Sequence, residues 1–423
     1  MKKLAVLFLI FSSLLYAQVE SSGRENPYIY GPKFYFEIVN YKGESPGKSK
    51  VELFVSVPYS NIQFVKYNNE YKSEYNLTAT FYQNDDEIVA ERMWKENVTT
   101  PDFKITSSKT ISNLSYKTFH LRPGKYTIAL SLEDLESRKS YQIKTKTKIL
   151  DFSDSLDLSD VLLISKIVKV DGKKQVIPNI ANTVTSRDSL LIFFYEVYTD
   201  KPDSVKVVYT IKKTKGEQSA KKTSELTLSK GKNVIYQKFE NQTFELGKYD
   251  LLVQVYDKEG KKLKGIGKRF TSKIYGYPRT ITNLDDAVEE MIYIANPSEI
   301  SYIKDAPTYK EKLKRFLAYW EKKDPSPNTI ENEILNEYYR RVSYANLHFR
   351  SYYDGWKTDM GMIYITLGPP DQVERRPVAI DSKPYEIWAY YNIGKTFIFV
   401  DQTNFGDYRL LNPVFGNWYR YRP

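Results

Sequence analysis

From Lys33 to Ile149 apolar and polar residues alternate with a period of two, in runs such as KFYFEIVNY, KVELFVSVPY, EYNLTATFYQ, YKTFHL, KYTIALSL and YQIKTKTKIL. The runs are rich in Val, Ile, Tyr, Phe and Thr and are punctuated by Pro, Gly, Asn and Asp. That is the pattern of half-buried antiparallel strands joined by turns. A polar break, DFSDSLDLSD, covers 151–160, and the alternation then resumes through VLLISKIVKV, DSLLIFFYEVYT, SVKVVYTIKK, NVIYQKF, KYDLLVQVYD and GIGKRFTSKI. LRPGKYTIALSLED, from Leu121, returns 123 residues later as FELGKYDLLVQVYD, from Phe244. Gly124 and Gly247, Tyr126 and Tyr249, and Asp134 and Asp257 coincide, and so does the apolar alternation behind them. A turn glycine followed by a tyrosine at a strand start predicts a tyrosine corner, in which the hydroxyl ties the strand to an upstream backbone group. The reading is two tandem immunoglobulin-like β-sandwiches, over residues 24–150 and 160–275.

After GYPRT the period becomes helical. NLDDAVEEMIYIA places Leu284, Val288, Met291, Ile292 and Ala295 on one face, with Asn283 as cap. TYKEKLKRFLAYWEKKD opens on a capping box, Thr308 to Glu311, and carries Leu313, Phe316, Leu317 and Trp320 along one stripe. DPSPN is a turn, and Asn328 then caps a long helix striped by Ile330, Ile334, Tyr338, Val342, Ala345 and Phe349. Strands are expected at MIYITL, YEIWAYY, TFIFVD and DYRLL. The segment 280–423 thus reads as an α+β domain, helices first and then a small antiparallel sheet.

The first residues change the picture of where the chain works. MKKLAVLFLIFSSLLYAQ has a basic start, an apolar stretch and a small residue, Ala17, which predicts a signal peptide over 1–17 cleaved after Ala17. No later stretch is long enough to span a membrane, so export to the periplasm or the outer surface is expected. With no cysteine among 423 residues, disulfides, thiolate metal sites and cysteine nucleophiles are excluded. The net charge of +11 is uneven: 280–423 holds 18 Lys and Arg against 20 Asp and Glu, a net of −2. The excess lysines sit at alternating strand positions and turns, as in IKTKTKI, where they keep edges solvated. Nucleic acid is therefore not expected as a partner, whereas an envelope protein or a glycan is.

Signatures of catalysis are sparse. The two histidines, His120 and His348, fall in different segments, and no nucleophile elbow, dinucleotide fingerprint or paired-histidine motif occurs. GKT at 394–396 lacks the first glycine of a phosphate loop and runs into a strand. No cofactor and no metal site are expected. Carboxylates near the last strands remain, above all Asp359, Glu386 and Asp401; two of them across a groove lined by Trp356 and Trp388 would suit glycoside hydrolysis or a glycan. The competing reading makes the same region a brace. Gly355 would take φ > 0 after the long helix, and Trp356 would lock helix against sheet. Thr358 and Asp359 would hold a turn before MIYITL, and Gly368-Pro369-Pro370 would stop that strand. The aromatic end FGNWYRYRP is the best candidate for an exposed contact surface.

GWKTD at 355–359 resembles the motif of the GWxTD domain family of exported bacterial proteins. DPSP and NEYYRRVSYAN upstream, and IYITLGPPD, YEIWAYY and FIFVD downstream, are similar to that family too. The resemblance covers roughly 280–415 and implies an exported domain behind β-rich segments, with no assigned activity. The expected function is a non-catalytic envelope or surface protein that binds or scaffolds other proteins. The alternative is a carboxylate-dependent hydrolase or glycan-binding protein with its site in the C-terminal domain.

Overall fold

The structure, a computed structural model, describes residues 33–411 apart from 85, 110, 171–172, 186–189, 215–217, 243, 275–276, 279, 328–331 and 377–382. The cleavage site at Ala17, the cap at Asn328 and the segment FGNWYRYRP lie outside the described residues. The described chain is mostly β, in several sheets, with few helices.

The first unit comprises β1 (Tyr35–Lys42), β2 (Ser49–Pro58), β3 (Val65–Tyr67), β4 (Glu70–Gln83), β5 (Glu87–Thr100), the one-turn helix α1 (Phe103–Thr106), β6 (Ser112–Leu121), β7 (Gly124–Asp134) and β8 (Ser140–Ile149). One sheet runs β1-β2-β6, the other β3-β4-β7-β8 with β5 on β4. Their inner faces meet in one core, where Val51, Leu53 and Val55 pack with Leu77, Phe81, Ile128 and Leu130, all fully buried. Each such side chain contributes roughly 1.5–3 kcal/mol. Strand β5 escapes the alternation because it is an edge strand whose side chains are largely exposed on both faces.

The second unit comprises β9 (Leu156–Leu158), β10 (Leu162–Val170), β11 (Lys173–Pro178), β12 (Thr183–Thr185), β13 (Leu190–Thr199), β14 (Asp203–Lys213), β15 (Gln218–Leu228), β16 (Gly231–Glu240), β17 (Gly247–Tyr256) and β18 (Lys262–Lys273). One sheet has the order β11-β10-β13-β16 with β9 on β13, and the other β12-β18-β17-β14-β15. Phe193, Tyr195 and Val197 pack against Val207, Tyr209, Leu251 and Val253, and the buried hydroxyls of Tyr195 and Tyr209 meet at 2.8 Å.

The repeated Gly-Lys-Tyr is a working turn in both copies. Gly124 and Gly247 adopt φ of 157° and 143°, which favour glycine. The Tyr126 hydroxyl donates to the Arg122 carbonyl at 3.0 Å, and Tyr249 donates to the Glu245 carbonyl at 3.1 Å. Asp134 and Asp257 also share a role, each accepting backbone N–H groups of the following hairpin turn.

The two units are joined by more than the linker. Asp160 is half-buried and takes the Asn40 backbone N–H at 2.9 Å and its side-chain amide at 2.5 Å. Beside it Lys268 pairs with Glu37 at 2.6 Å. Val39 and Tyr41 of β1 meet Leu162 of β10, with Phe54 and Phe194 packed around them.

The C-terminal part begins with helices α2 (Leu284–Glu289), α3 (Pro297–Lys304), α4 (Tyr309–Glu321), α5 (Glu333–His348) and α6 (Asp359–Leu367). A sheet follows in the order β19 (Gln372–Arg376), β20 (Tyr385–Tyr390), β21 (Lys395–Asp401) and β22 (Tyr408–Leu410). The helical core gathers Met291, Phe316, Trp320, Tyr338, Tyr339 and Val342. It also holds Leu246 and Ile274 of the second unit, and the Tyr309 hydroxyl accepts the Leu246 N–H at 2.8 Å.

One expectation is overturned here. MIYITL is not a strand: it forms α6. This helix is apolar on nearly all sides because it lies between two layers. Met360, Ile363 and Tyr364 face Trp388, Tyr390, Phe397 and Phe399 of the sheet, while Ile365 faces the helical core. A short run buried on every side carries no periodicity that separates strand from helix. In consequence Gly368 ends a helix, at φ 86° and ψ −165°, rather than stopping a strand.

Candidate functional site

The GWKTD residues lie where α5, α6 and the sheet converge. Helix α5 is capped by Phe349, and the chain returns through a 3-10 turn, Gly355–Lys357, against the side of α5. Gly355 is not at positive φ, contrary to expectation; its requirement is space. A Cβ there would lie 1.8 Å from the Ala345 carbonyl oxygen, and one on Gly361 would lie 1.9 Å from the Gly355 carbonyl oxygen. Two glycines thus let the turn lie directly on α5 and α6 directly on the turn.

Polar groups fix this stack. The Asn346 side-chain oxygen accepts the Trp356 N–H at 3.0 Å, and the Tyr293 hydroxyl donates to the Trp356 carbonyl at 2.7 Å. Thr358 caps α6: its hydroxyl accepts from Gly361 N–H at 3.0 Å and donates to the Gly355 carbonyl at 2.8 Å. Asp359 occupies the first turn of α6, where the helix dipole favours a carboxylate, and accepts the Leu410 N–H of β22 at 2.8 Å. Trp356 is buried in the helical core and not, as expected, against the sheet.

The other candidate residues also have structural partners. Glu386 binds Arg375 at 3.1 Å and the Trp388 indole N–H at 3.0 Å. Asp401 is buried and holds the 402–407 loop through Gly406 N–H at 2.7 Å and Thr403 N–H at 3.1 Å. Burial alone would raise its pKa, but these hydrogen bonds prevail and hold it below the usual range. The Gly368 carbonyl receives the Tyr390 hydroxyl at 2.8 Å just before Pro369-Pro370. His348 stacks on Tyr344 with centroids 4.1 Å apart, and burial lowers its pKa. Among the described residues no group of three or more His, Asp or Glu side chains is placed to hold a metal.

Beside the motif lies a cavity of about 320 Å³ that the sequence did not reveal. Trp356, Lys357 and Asp354 form one wall and Asp286, Glu290 and Asn346 another. Burial, then the Asp286 and Asp354 carboxylates, push Glu290 up to about 8 against a donated hydrogen bond from Asn346 at 3.3 Å. Lys357 pairs with Asp354 at 3.2 Å and lies 4.9 Å from the Trp356 ring centroid. Glu290 turns inward because α2 changes to a 3-10 turn at Glu290–Tyr293, which leaves Ile292 46% exposed and buries Tyr293. A regular helix would have hidden Ile292, which the periodicity placed on the apolar face.

Comparisons with solved structures give low-level overlaps. A β-glucuronidase from Bacteroides uniformis is 10% identical, covering 58% of this chain and 32% of its own, with a TM-score of 0.24. A putative β-galactosidase from Bacteroides fragilis is 11% identical, covering 56% and 35%, at 0.21. Red sea bream transglutaminase is 11% identical, covering 56% and 31%, at 0.17. The chain spans about a third of the length of these proteins, and overlaps at this level carry no argument about fold or activity. A search of curated proteins returns no match. Residues 254–411 match the model of the GWxTD domain, starting within β17 and hence earlier than residue 280. The chain carries a GWxTD domain, and the GWKTD residues form its central joint.

Proposed function

We propose that this chain is an exported, non-catalytic envelope or surface protein that binds or scaffolds other proteins. Its first two units are read as immunoglobulin-like sandwiches over 24–150 and 160–275, followed by an α+β domain from 280. Export rests on the leader expected at 1–17. The observation that carries the reading is the use of the motif: Gly355, Thr358 and Asp359 are each consumed in holding α5, α6 and β22 together. Glu386 and Asp401 are likewise engaged by Arg375 and by the loop amides. An enzyme keeps its acid and base facing substrate; here the conspicuous residues face the fold. In-cell crosslinking of the full chain, followed by identification of the adducts, tests this. A recurrent envelope protein partner supports it; turnover of a glycoside or peptide panel by the purified protein overturns it.

The hydrolytic reading gains one observation. Glu290, protonated near neutrality, lines the same cavity as Asp286 and Asp354, an arrangement suited to a general acid beside other carboxyl groups. If the panel shows turnover, Glu290→Gln is the variant that abolishes it under this reading.

A further inference from the structure

A second cavity, of about 570 Å³, opens between the first two units. One wall is the outer face of β1 and β2, with Tyr41, Lys50 and Glu52; the other is the outer face of β13 and β16, with Phe194, Glu196 and Lys232. Beyond the lining, aromatic side chains follow on the adjoining strands. Tyr116 is 60% exposed and lies against Phe54 with centroids 5.8 Å apart; Tyr236 is 53% exposed and stacks on Phe194 at 5.7 Å. Phe54 stands opposite Tyr116, and Phe194 opposite Tyr236, on neighbouring strands.

Charge and backbone narrow the ligand. The lining holds four lysines and four carboxylates. Lys50 pairs with Glu52 at 2.7 Å and Lys232 with Glu196 at 3.4 Å, so the surface is polar but neutral. Such a lining gives no net attraction to an acidic chain or a basic peptide. Strands β2 and β13 are already paired on both sides, and the edge strand β1 gives its Asn40 N–H to Asp160 and its Lys42 N–H to the Tyr198 hydroxyl, so an extended peptide finds no open ladder on these three. Flat aromatic faces beside paired donors and acceptors, in a cleft of ligand size, match a molecule with apolar C–H faces and uncharged hydroxyls. Burial also raises the Tyr41 and Tyr198 phenols, so neither adds a charge to the lining.

We propose that the cleft between the first two units binds a neutral oligosaccharide. This site is separate from the GWKTD joint and does not depend on the scaffolding reading. The test is affinity electrophoresis and calorimetry of the full chain with cello-, xylo-, manno- and malto-hexaose. At least one should bind, with an affinity that changes less than twofold between 50 and 500 mM salt. Tyr116→Ala and Tyr236→Ala, both at exposed positions, should each weaken binding at least fivefold without lowering the melting temperature. Failure of all four sugars, binding that survives the double variant, preference for a charged saccharide, or displacement of the sugar by a peptide library would each overturn the proposal.

Discussion

The Asp359 carboxylate accepts the backbone N–H of Leu410 at 2.8 Å, so the first turn of α6 holds the last described strand. Asp359→Ala removes a hydrogen bond to a charged acceptor and leaves that N–H without its partner, at a cost of roughly 1–3 kcal/mol. Hydrogen exchange should quicken at Leu410 and along β22. Asp359→Asn keeps one acceptor oxygen and should exchange more slowly than the alanine variant.

Glu290 should make stability fall as pH rises. Its folded pKa, about 8, lies above the ordinary 4.5, so the fold favours the protonated form. That contribution is complete below about 4.5 and is lost as pH climbs through about 8. The loss is on the order of 3 kcal/mol between pH 5 and pH 9. Glu290→Gln should flatten the dependence and melt higher than the parent at pH 9, as read by circular dichroism at both pH values.

The paired tyrosine corners should behave as independent ties. Tyr126→Phe and Tyr249→Phe each remove one hydroxyl bond to a backbone carbonyl, for about 1 kcal/mol apiece. Denaturant melts of the single and double variants should be additive, since the two sites lie in separate cores.

Much of this architecture was legible from the sequence. The strands with one buried face were visible in the alternation, as in β2 and β17, and so were the repeated corners, because a period of two requires an inside and an outside. Strand β5, largely exposed on both faces, and α6, apolar on nearly all sides, have no such contrast, and both were missed or misread. The motif's bracing role was legible in kind but not in mechanism. That Gly355 answers to the Ala345 carbonyl, and not to a positive φ, is a tertiary fact. Glu290 was hidden by a local switch from α to 3-10 geometry.

The joint between the first two units should open when Asn40 is removed. Asn40→Ala withdraws the amide that faces Asp160 and also contacts the Lys148 carbonyl and Leu150 N–H. Small-angle scattering should show a larger radius of gyration, while near-ultraviolet circular dichroism shows both cores intact.

The central claim is that Gly-Trp-x-Thr-Asp is a structural joint, and thermal unfolding of the full chain carrying Gly355→Ala tests it most directly. A methyl group 1.8 Å from the Ala345 carbonyl cannot be accommodated without moving the turn off α5. The variant should lose roughly 3 kcal/mol or more, with the C-terminal unit melting at least about 5 °C lower or failing to fold. A melting curve superimposable on the parent's would contradict the claim.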